Sequence, residues 1–400
     1  MSENSIGIGI IGAGFLAETR ARCYEQCRGL GRILAVASRT EEKARDYAER
    51  HGVPKALAGY EDLLNLPEID VVDLCIPNHL HRSATEAAAA VGKHVICTKP
   101  LTAYTGQDLP EDCHDEEISG RDPRRMLEVA TDDARSMVEA TRRAGVELMY
   151  GENWIYAPAI VKATALIQEA GGTILEMRGG ESHSGSHSPY SKIWRYTGGG
   201  SLLRLGSHAI GAMLYLKDQE GRARHGSPIR PLSVSAEVAD LSRIPSVAKE
   251  EQPWIATGWQ DVENWASVII GFEDGARGIA WASDGVLGGM ESRLEVFLSN
   301  CHIKCNLSPN NLVQAFAPDP QVFADEYLME KVETKAGWST PIPDEDWSAG
   351  HLSMCRDFIL AVAEGRPAKS TGELGLEVVR LVYSAYCSAQ EGGRVVLRTG

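Results

Sequence analysis

The chain lacks a surplus of positive charge. Fifty-five acidic residues face 40 lysines and arginines, a formal net charge of −15, so the basic footprint that nucleic acid and anionic membrane surfaces require is missing. It also lacks any uninterrupted apolar run of membrane-spanning length. No basic n-region is present: Met1-Ser2-Glu3-Asn4-Ser5 leads into an apolar stretch that already holds the glycines of a turn, so no signal peptide is expected. Internal repeats and low-complexity tracts are absent. The nine cysteines are an odd, scattered set without a disulfide framework, which predicts reduced thiols and a cytoplasmic address. The tightest group, Cys301-His302-Ile303-Lys304-Cys305, puts Cys301, Ile303 and Cys305 on one side of a strand, a buried face and not a metal site. These exclusions leave a small-molecule partner, with neither nucleic acid nor membrane.

What is present is the balance of a globular protein, 43% hydrophobic and 24% charged over 400 residues, long enough for two packed domains. The division is expected at 1–150 and 151–400, with the C-terminal helices packing back on the first domain. Ile6–Ile11 reads as a buried strand, followed at once by Gly12-Ala13-Gly14-Phe15-Leu16-Ala17 and a helix from Glu18 to Cys27. This G-x-G-x-x-A turn assigns Gly12 to the tight bend, Gly14 to backbone approach toward a pyrophosphate and Ala17 to close helix packing, with Phe15 and Leu16 between them. Free N–H groups at the helix start and the dipole favour phosphate. The next strand, Arg32–Ala37, ends in Ser38-Arg39-Thr40 with no acidic residue for a ribose diol; Ser38 and Arg39 can take a 2′-phosphate, or Arg39 can stack on adenine, which leaves NAD and NADP both open. Val71–Ile76 reads as a parallel strand, and the loop Pro77-Asn78-His79-Leu80-His81 at its end puts Pro77, Asn78 and His81 toward a nicotinamide, unless His81 simply caps the following helix. Val95-Ile96-Cys97-Thr98-Lys99-Pro100 is the next strand end, where open α/β sheets place ligands.

The second half alternates apolar and polar residues at 174–180, 232–238, 265–272, 276–282, 293–298 and 302–306, a pattern that predicts a large, mostly antiparallel sheet. Residues 104–125 form an acidic, turn-rich insertion, 309–343 an irregular stretch, and 351–363 and 371–390 closing helices. The fold class is therefore α/β: a doubly wound parallel Rossmann sheet plus an α+β domain with an open sheet, one face of which covers the first domain or a partner subunit.

Gly12-x-Gly14-x-x-Ala17, Pro77-Asn78-x-x-His81 and Thr98-Lys99-Pro100, in this order, resemble the Gfo/Idh/MocA family of sugar and polyol oxidoreductases, whose usual triplet is Glu-Lys-Pro. Thr98 departs from it. The family's G-G-G-x-x-x-D-x-G-x-H segment corresponds to Gly198–His208, with His208 matching and Arg204 at the Asp position. The resemblance implies a nicotinamide-dependent dehydrogenase acting on a secondary hydroxyl of a sugar or glycoside, with the 3-hydroxyl as the position in a divergent branch, and a homo-oligomer, dimer or tetramer, built through the C-terminal sheet. It makes Lys99 and His208 the catalytic pair converging on one hydroxyl, Lys99 also touching the cofactor and His208 acting as general base. Arg204 cannot accept a proton; it binds a substrate oxygen, or a carboxylate such as Glu181 restores the lost acid. Glu181, His183 and His187 carry zinc-ligand chemistry, but Ser184-Gly185-Ser186 breaks any helix that would align the imidazoles, so no metal is expected. Those residues, with Asn153, Tyr156 and the rings of Trp194 and Tyr196, are assigned to substrate recognition. Two other functions remain: redox-neutral cleavage of a glycoside by oxidation, elimination and re-reduction, and a non-catalytic nucleotide-sensing regulator.

Overall fold

A computed structural model describes residues 5–186 and 188–397. In chain order it contains β1 (Ile6–Ile11), α1 (Phe15–Gln26), β2 (Gly31–Ser38), α2 (Glu41–His51), β3 (Lys55–Ala58), α3 (Glu61–Leu64), β4 (Val71–Leu74), α4 (His81–Ala90), β5 (His94–Thr98), α5 (Asp115–Ser119), α6 (Pro123–Ala144) and β6 (Leu148–Gly151). There follow α7 (Pro158–Ala170), β7 (Ile174–Ser182), α8 (Trp194–Thr197), α9 (Ser207–His225), β8 (Pro231–Ala239), β9 (Trp265–Phe272), β10 (Arg277–Ser283), β11 (Glu291–Leu298), β12 (His302–Ser308), β13 (Ala315–Ala317), β14 (Gly337–Ser339), α10 (Glu345–Ser348), α11 (His351–Glu364), α12 (Gly372–Glu391) and β15 (Val395–Val396).

Two compact units emerge, neither continuous in sequence. The first takes the chain through Ala103, Ala130–Tyr156 and Gly350–Val379; the second takes Tyr104–Val129, Ala157–Ala349 and the chain from Arg380. The division is interleaved along the chain: the 104–125 insertion belongs to the second unit, and α11 to the first.

In the first unit all strand pairs are parallel, in the order β3-β2-β1-β4-β5-β6. β1 and β4 sit at the centre and read Ile-Gly-Ile-Gly-Ile-Ile and Val-Val-Asp-Leu, the near-continuous apolar runs of strands covered on both faces. The exception is Asp73, fully buried in β4. Arg20 of α1 reaches it at 3.0 Å and the Tyr24 hydroxyl donates to it at 2.7 Å, so the one charge in the strand is matched and pins α1 over the sheet. In α6, Ala130, Ala134, Met137, Val138 and Thr141 recur at helical spacing and are buried.

The second unit is built on a seven-stranded sheet, β12-β11-β7-β10-β9-β8-β15, antiparallel except for β7 beside β10. α9 packs on one face. The other face carries Ile269, Ile279, Arg178 and Glu295 in one cross-strand row. The β13–β14 hairpin in the stretch read as irregular, and the short strands β3 and β15, were not expected; each has four residues or fewer, too few to show a period. Alternation in β12 is as expected, Cys305 and Leu307 buried against exposed Lys304 and Asn306.

Candidate functional site

In the first unit β1 delivers the chain to Gly12, at φ 108°, where a Cβ would lie 2.2 Å from the Cys75 carbonyl oxygen; only glycine fits that bend. At Gly14 a Cβ would meet no protein atom within 4 Å. Protein packing therefore does not demand glycine there, whereas a ligand's close approach to the backbone does. α1 starts at Phe15, three residues before the expected Glu18, with no side-chain cap, leaving its first N–H groups available. Phe15 is 82% exposed, Leu16 half-buried and Ala17 fully buried. Glu18, which would oppose an anion in the first turn, is engaged by Arg50 at 2.7 Å and His51 at 2.8 Å. Ser38 closes β2 and Arg39 follows it, exposed.

Pro77 precedes a 3₁₀ turn over Asn78–Leu80. His81 is 1% exposed, with Nδ1 3.1 Å from the Pro100 and Leu101 carbonyls and Nε2 3.0 Å from that of Ile76. Burial lowers its pKa despite these carbonyls. The ring braces the ends of β4 and β5 together, and both its nitrogens are taken up by backbone carbonyls. Thr98, the last residue of β5, pairs with Gly151 of β6, so Lys99 and Glu152 leave the sheet side by side.

In the second unit the loop before α9 is held by one carboxylate. Glu263 accepts the N–H groups of Gly200 and Leu202 and the Tyr386 hydroxyl, each at 2.9 Å. A Cβ at Gly200 would lie 1.8 Å from the Glu263 carbonyl oxygen, so the loop takes this path only with glycine there. Residues 202–206 then form a π-helical turn packed on β7, β9 and β10, an irregularity common at functional sites. It presents Arg204, and the first turn of α9 presents His208, 6% exposed. The parallel pair β7 and β10 ends at the same edge, tied by His183 N–H to the Ser283 carbonyl at 3.0 Å and Val286 N–H to the His183 carbonyl at 3.0 Å. Asp284, 1% exposed, bonds the Arg204 guanidinium through Oδ2. Burial pushes the Asp284 carboxyl up against the pull of Arg204 and Lys331. Arg204 also lies 5.4 Å over the Trp259 ring. His183, 4% exposed, accepts the Gly185 N–H at Nδ1 (2.9 Å), which leaves Nε2 as the proton-bearing nitrogen of the neutral ring.

Comparison with known proteins matches residues 6–115 to the oxidoreductase family with an NAD-binding Rossmann fold and residues 160–304 to the GFO/IDH/MocA C-terminal domain. The chain belongs to the Gfo/Idh/MocA family of oxidoreductases. Among its relatives, levoglucosan dehydrogenase of Pseudarthrobacter phenanthrenivorans is 26% identical over 387 residues, 90% of each chain, and 1,5-anhydro-D-fructose reductase of Ensifer adhaerens is 31% identical over 140 residues, 35% of this chain and 34% of that one. Of solved structures, GenD2 from gentamicin A biosynthesis, in complex with NAD, superposes with a TM-score of 0.79 at 23% identity, covering 100% of this chain and 98% of that one. Levoglucosan dehydrogenase with NADH and L-sorbose gives 0.72 at 23% identity and 99% of both. These structural likenesses speak to the fold. The Gly14 cradle, the open α1 N-terminus and the buried Ala17 fit the dinucleotide that the family's Rossmann unit binds.

Several residues assigned to substrate are used otherwise. Tyr156 is 2% exposed, its hydroxyl donating to Asp357 at 2.9 Å and accepting the Ser370 N–H at 3.0 Å, a brace within the first unit. Trp194 is 7% exposed, donates Nε1–H to the Tyr104 carbonyl at 3.0 Å and packs against Tyr386. Its ring is core, not a platform for a sugar. Tyr196 is exposed beside Tyr190. Glu181 accepts the Ser292 hydroxyl at 2.9 Å, and the carboxylate beside Arg204 is Asp284. Asn153 is buried, 6% exposed. His187 lies outside the described residues. Among the described residues no group of three or more His, Cys, Asp or Glu side chains could hold a metal. Asp284, Glu263, Trp259 and Glu152 were missed; the readable signal was a carboxylate directly after an apolar strand, present at Asp284 and Glu152 alike.

Proposed function

We propose that the protein is a nicotinamide-dependent dehydrogenase acting on a secondary hydroxyl of a sugar or glycoside, at the 3-position in the finer form of the reading. The observation that carries it is the match to levoglucosan dehydrogenase along 90% of both chains. The polar shell of the second unit supports it: Arg204, Asp284 and His183 bring donors and an acceptor suited to vicinal hydroxyls together at one strand edge. A bound nicotinamide nucleotide supplies the hydride acceptor or donor. His208 is assigned as the base that takes the hydroxyl proton and Lys99 as the cation that orients the oxygen.

The test is single-turnover mixing of the NAD-loaded protein with levoglucosan and a panel of glycosides, followed by nicotinamide absorbance, with the oxidised position read by NMR. His208→Ala is expected to slow reduction by about a hundred- to ten-thousand-fold with nucleotide binding unchanged; near-normal transfer by that variant refutes the assignment. The same reading gives the open sheet face, where Ile269 is 49% exposed, to a second copy of the chain. Sedimentation of Ile269→Arg against the parent checks it, and equal masses count against it.

A further inference from the structure

We propose that Glu152 is the acidic partner of Lys99: a buried carboxyl on the neighbouring strand end whose charge acts on the amine, in a triplet where Thr98 offers no acid. This rests on the reading of Lys99 as the orienting cation for its catalytic meaning, although the pairing itself is a property of the first unit.

The register sets it up. Thr98 and Gly151 are partners in the parallel pair of β5 and β6, and neighbouring strands run about 4.8 Å apart. At Gly151 a Cβ would stand only 3.0 Å from the Thr98 Cα and 3.2 Å from the Cys97 carbonyl oxygen, so the two strand ends are in contact where Lys99 and Glu152 emerge. Glu152 is 0% exposed. Its N–H donates to the Tyr150 carbonyl at 2.8 Å and its Oε1 accepts the Trp154 N–H at 3.1 Å. Its chain neighbours Tyr150 and Trp154 are buried as well.

A carboxylate in such a place is expensive unless a cation meets it. Burial drives the Glu152 carboxyl up to about 8, against the Trp154 N–H and the Lys99 charge, which both pull it down. The charged and titratable groups that act with it are Lys99 and the Tyr150 phenol, itself raised by burial and by Glu152. Below about pH 8 the carboxyl carries its own proton beside the Lys99 amine, and above it a carboxylate faces the Lys99 charge. A carboxylate there favours the cationic form of Lys99 when an oxygen has to be held. Glu152 acts through Lys99 and is a positioning residue.

The experiment reads Lys99 directly and needs no substrate. The full-length protein is trace-labelled with acetic anhydride from pH 6 to 11, and acetylation of the Lys99 peptide is measured by mass spectrometry, because only the free amine reacts. Glu152→Gln keeps the shape and the bond from Trp154 but cannot carry charge. Removing a nearby opposite charge in a buried site shifts a pKa by about one unit or more, so Lys99 is expected to label about tenfold faster at pH 8 in this variant, while Glu152→Asp, which keeps the charge, stays near the parent. A purely structural Glu152 predicts parent-like labelling in the Gln variant, and that result overturns the proposal. Should Glu152→Gln not fold, Lys99→Met gives the reciprocal reading: infrared spectra of the buried carboxyl must show it protonated to higher pH than in the parent, and an unchanged titration overturns the pairing. If Lys99→Ala kept full dehydrogenase rate, the catalytic reading would fall while the labelling result stood, so the two failures are distinguishable.

Discussion

Removing Asp284 should harm the protein more than removing Asp284 and Arg204 together. The Asp284 side chain is 0% exposed and the Arg204 side chain 17%, and the guanidinium lies over Trp259, itself 5% exposed. Breaking a buried ion pair by deleting one partner costs roughly 3–5 kcal/mol, because the other charge stays behind without its counter-ion. The exposed sixth of Arg204 lets water soften that penalty, so Asp284→Ala is placed at about 3 kcal/mol, the lower end. Arg204→Ala leaves a carboxyl that burial already pushes upward; it is relieved by taking a proton, at a cost of about 1–3 kcal/mol for the orphaned polar group. The double variant leaves no orphan and pays only for lost packing, so it should be more stable than Asp284→Ala by about 1–2 kcal/mol. Urea unfolding followed by tryptophan fluorescence and far-ultraviolet circular dichroism measures the three midpoints. The raised carboxyl also fixes a sign: the folded Arg204→Ala protein binds more protons than the unfolded chain, so its stability must fall as pH rises through the carboxylate range. Strict additivity of the two single costs, or a double variant less stable than Asp284→Ala, would refute the reasoning.

Gly14→Val puts a branched side chain where a Cβ meets no protein atom; calorimetry should show nicotinamide nucleotide binding abolished while the melting temperature stays close to the parent's. Arg39→Ala separates the two ribose readings: if Arg39 takes a 2′-phosphate, NADP binding weakens by about 1.5–3 kcal/mol with NAD unaffected, and equal losses for both assign Arg39 to adenine. Glu152, raised from 4.5 to about 8, retains its proton in the folded state over that window while the unfolded chain gives it up. Stability should therefore decline from pH 4.5 to 8 and level off above, and Glu152→Gln should flatten that slope in thermal melts taken across the range.

The path of the backbone was largely legible in the residues. Ile6–Ile11 followed by Gly12-x-Gly14-x-x-Ala17 specifies a strand, a bend and a helix start through local sterics, and β9 falls at its expected limits, because periodicity acts within a few residues. Lys99 and His208 were named through the family-like motifs in which they stand, one at a strand end and one at a glycine-led helix start. What periodicity cannot carry is the identity of the group that a buried polar side chain meets. Arg204 and Asp284 are 80 positions apart, Gly200 and Glu263 63, Tyr156 and Asp357 201. Tyr156 and Trp194 look like sugar-binding aromatics until Asp357 and the Tyr104 carbonyl are brought to them. Only the packed fold assigns the 104–129 segment to the second unit. Burial then decides between a ligand contact and a brace, since a polar atom removed from water must take whatever partner the tertiary structure supplies.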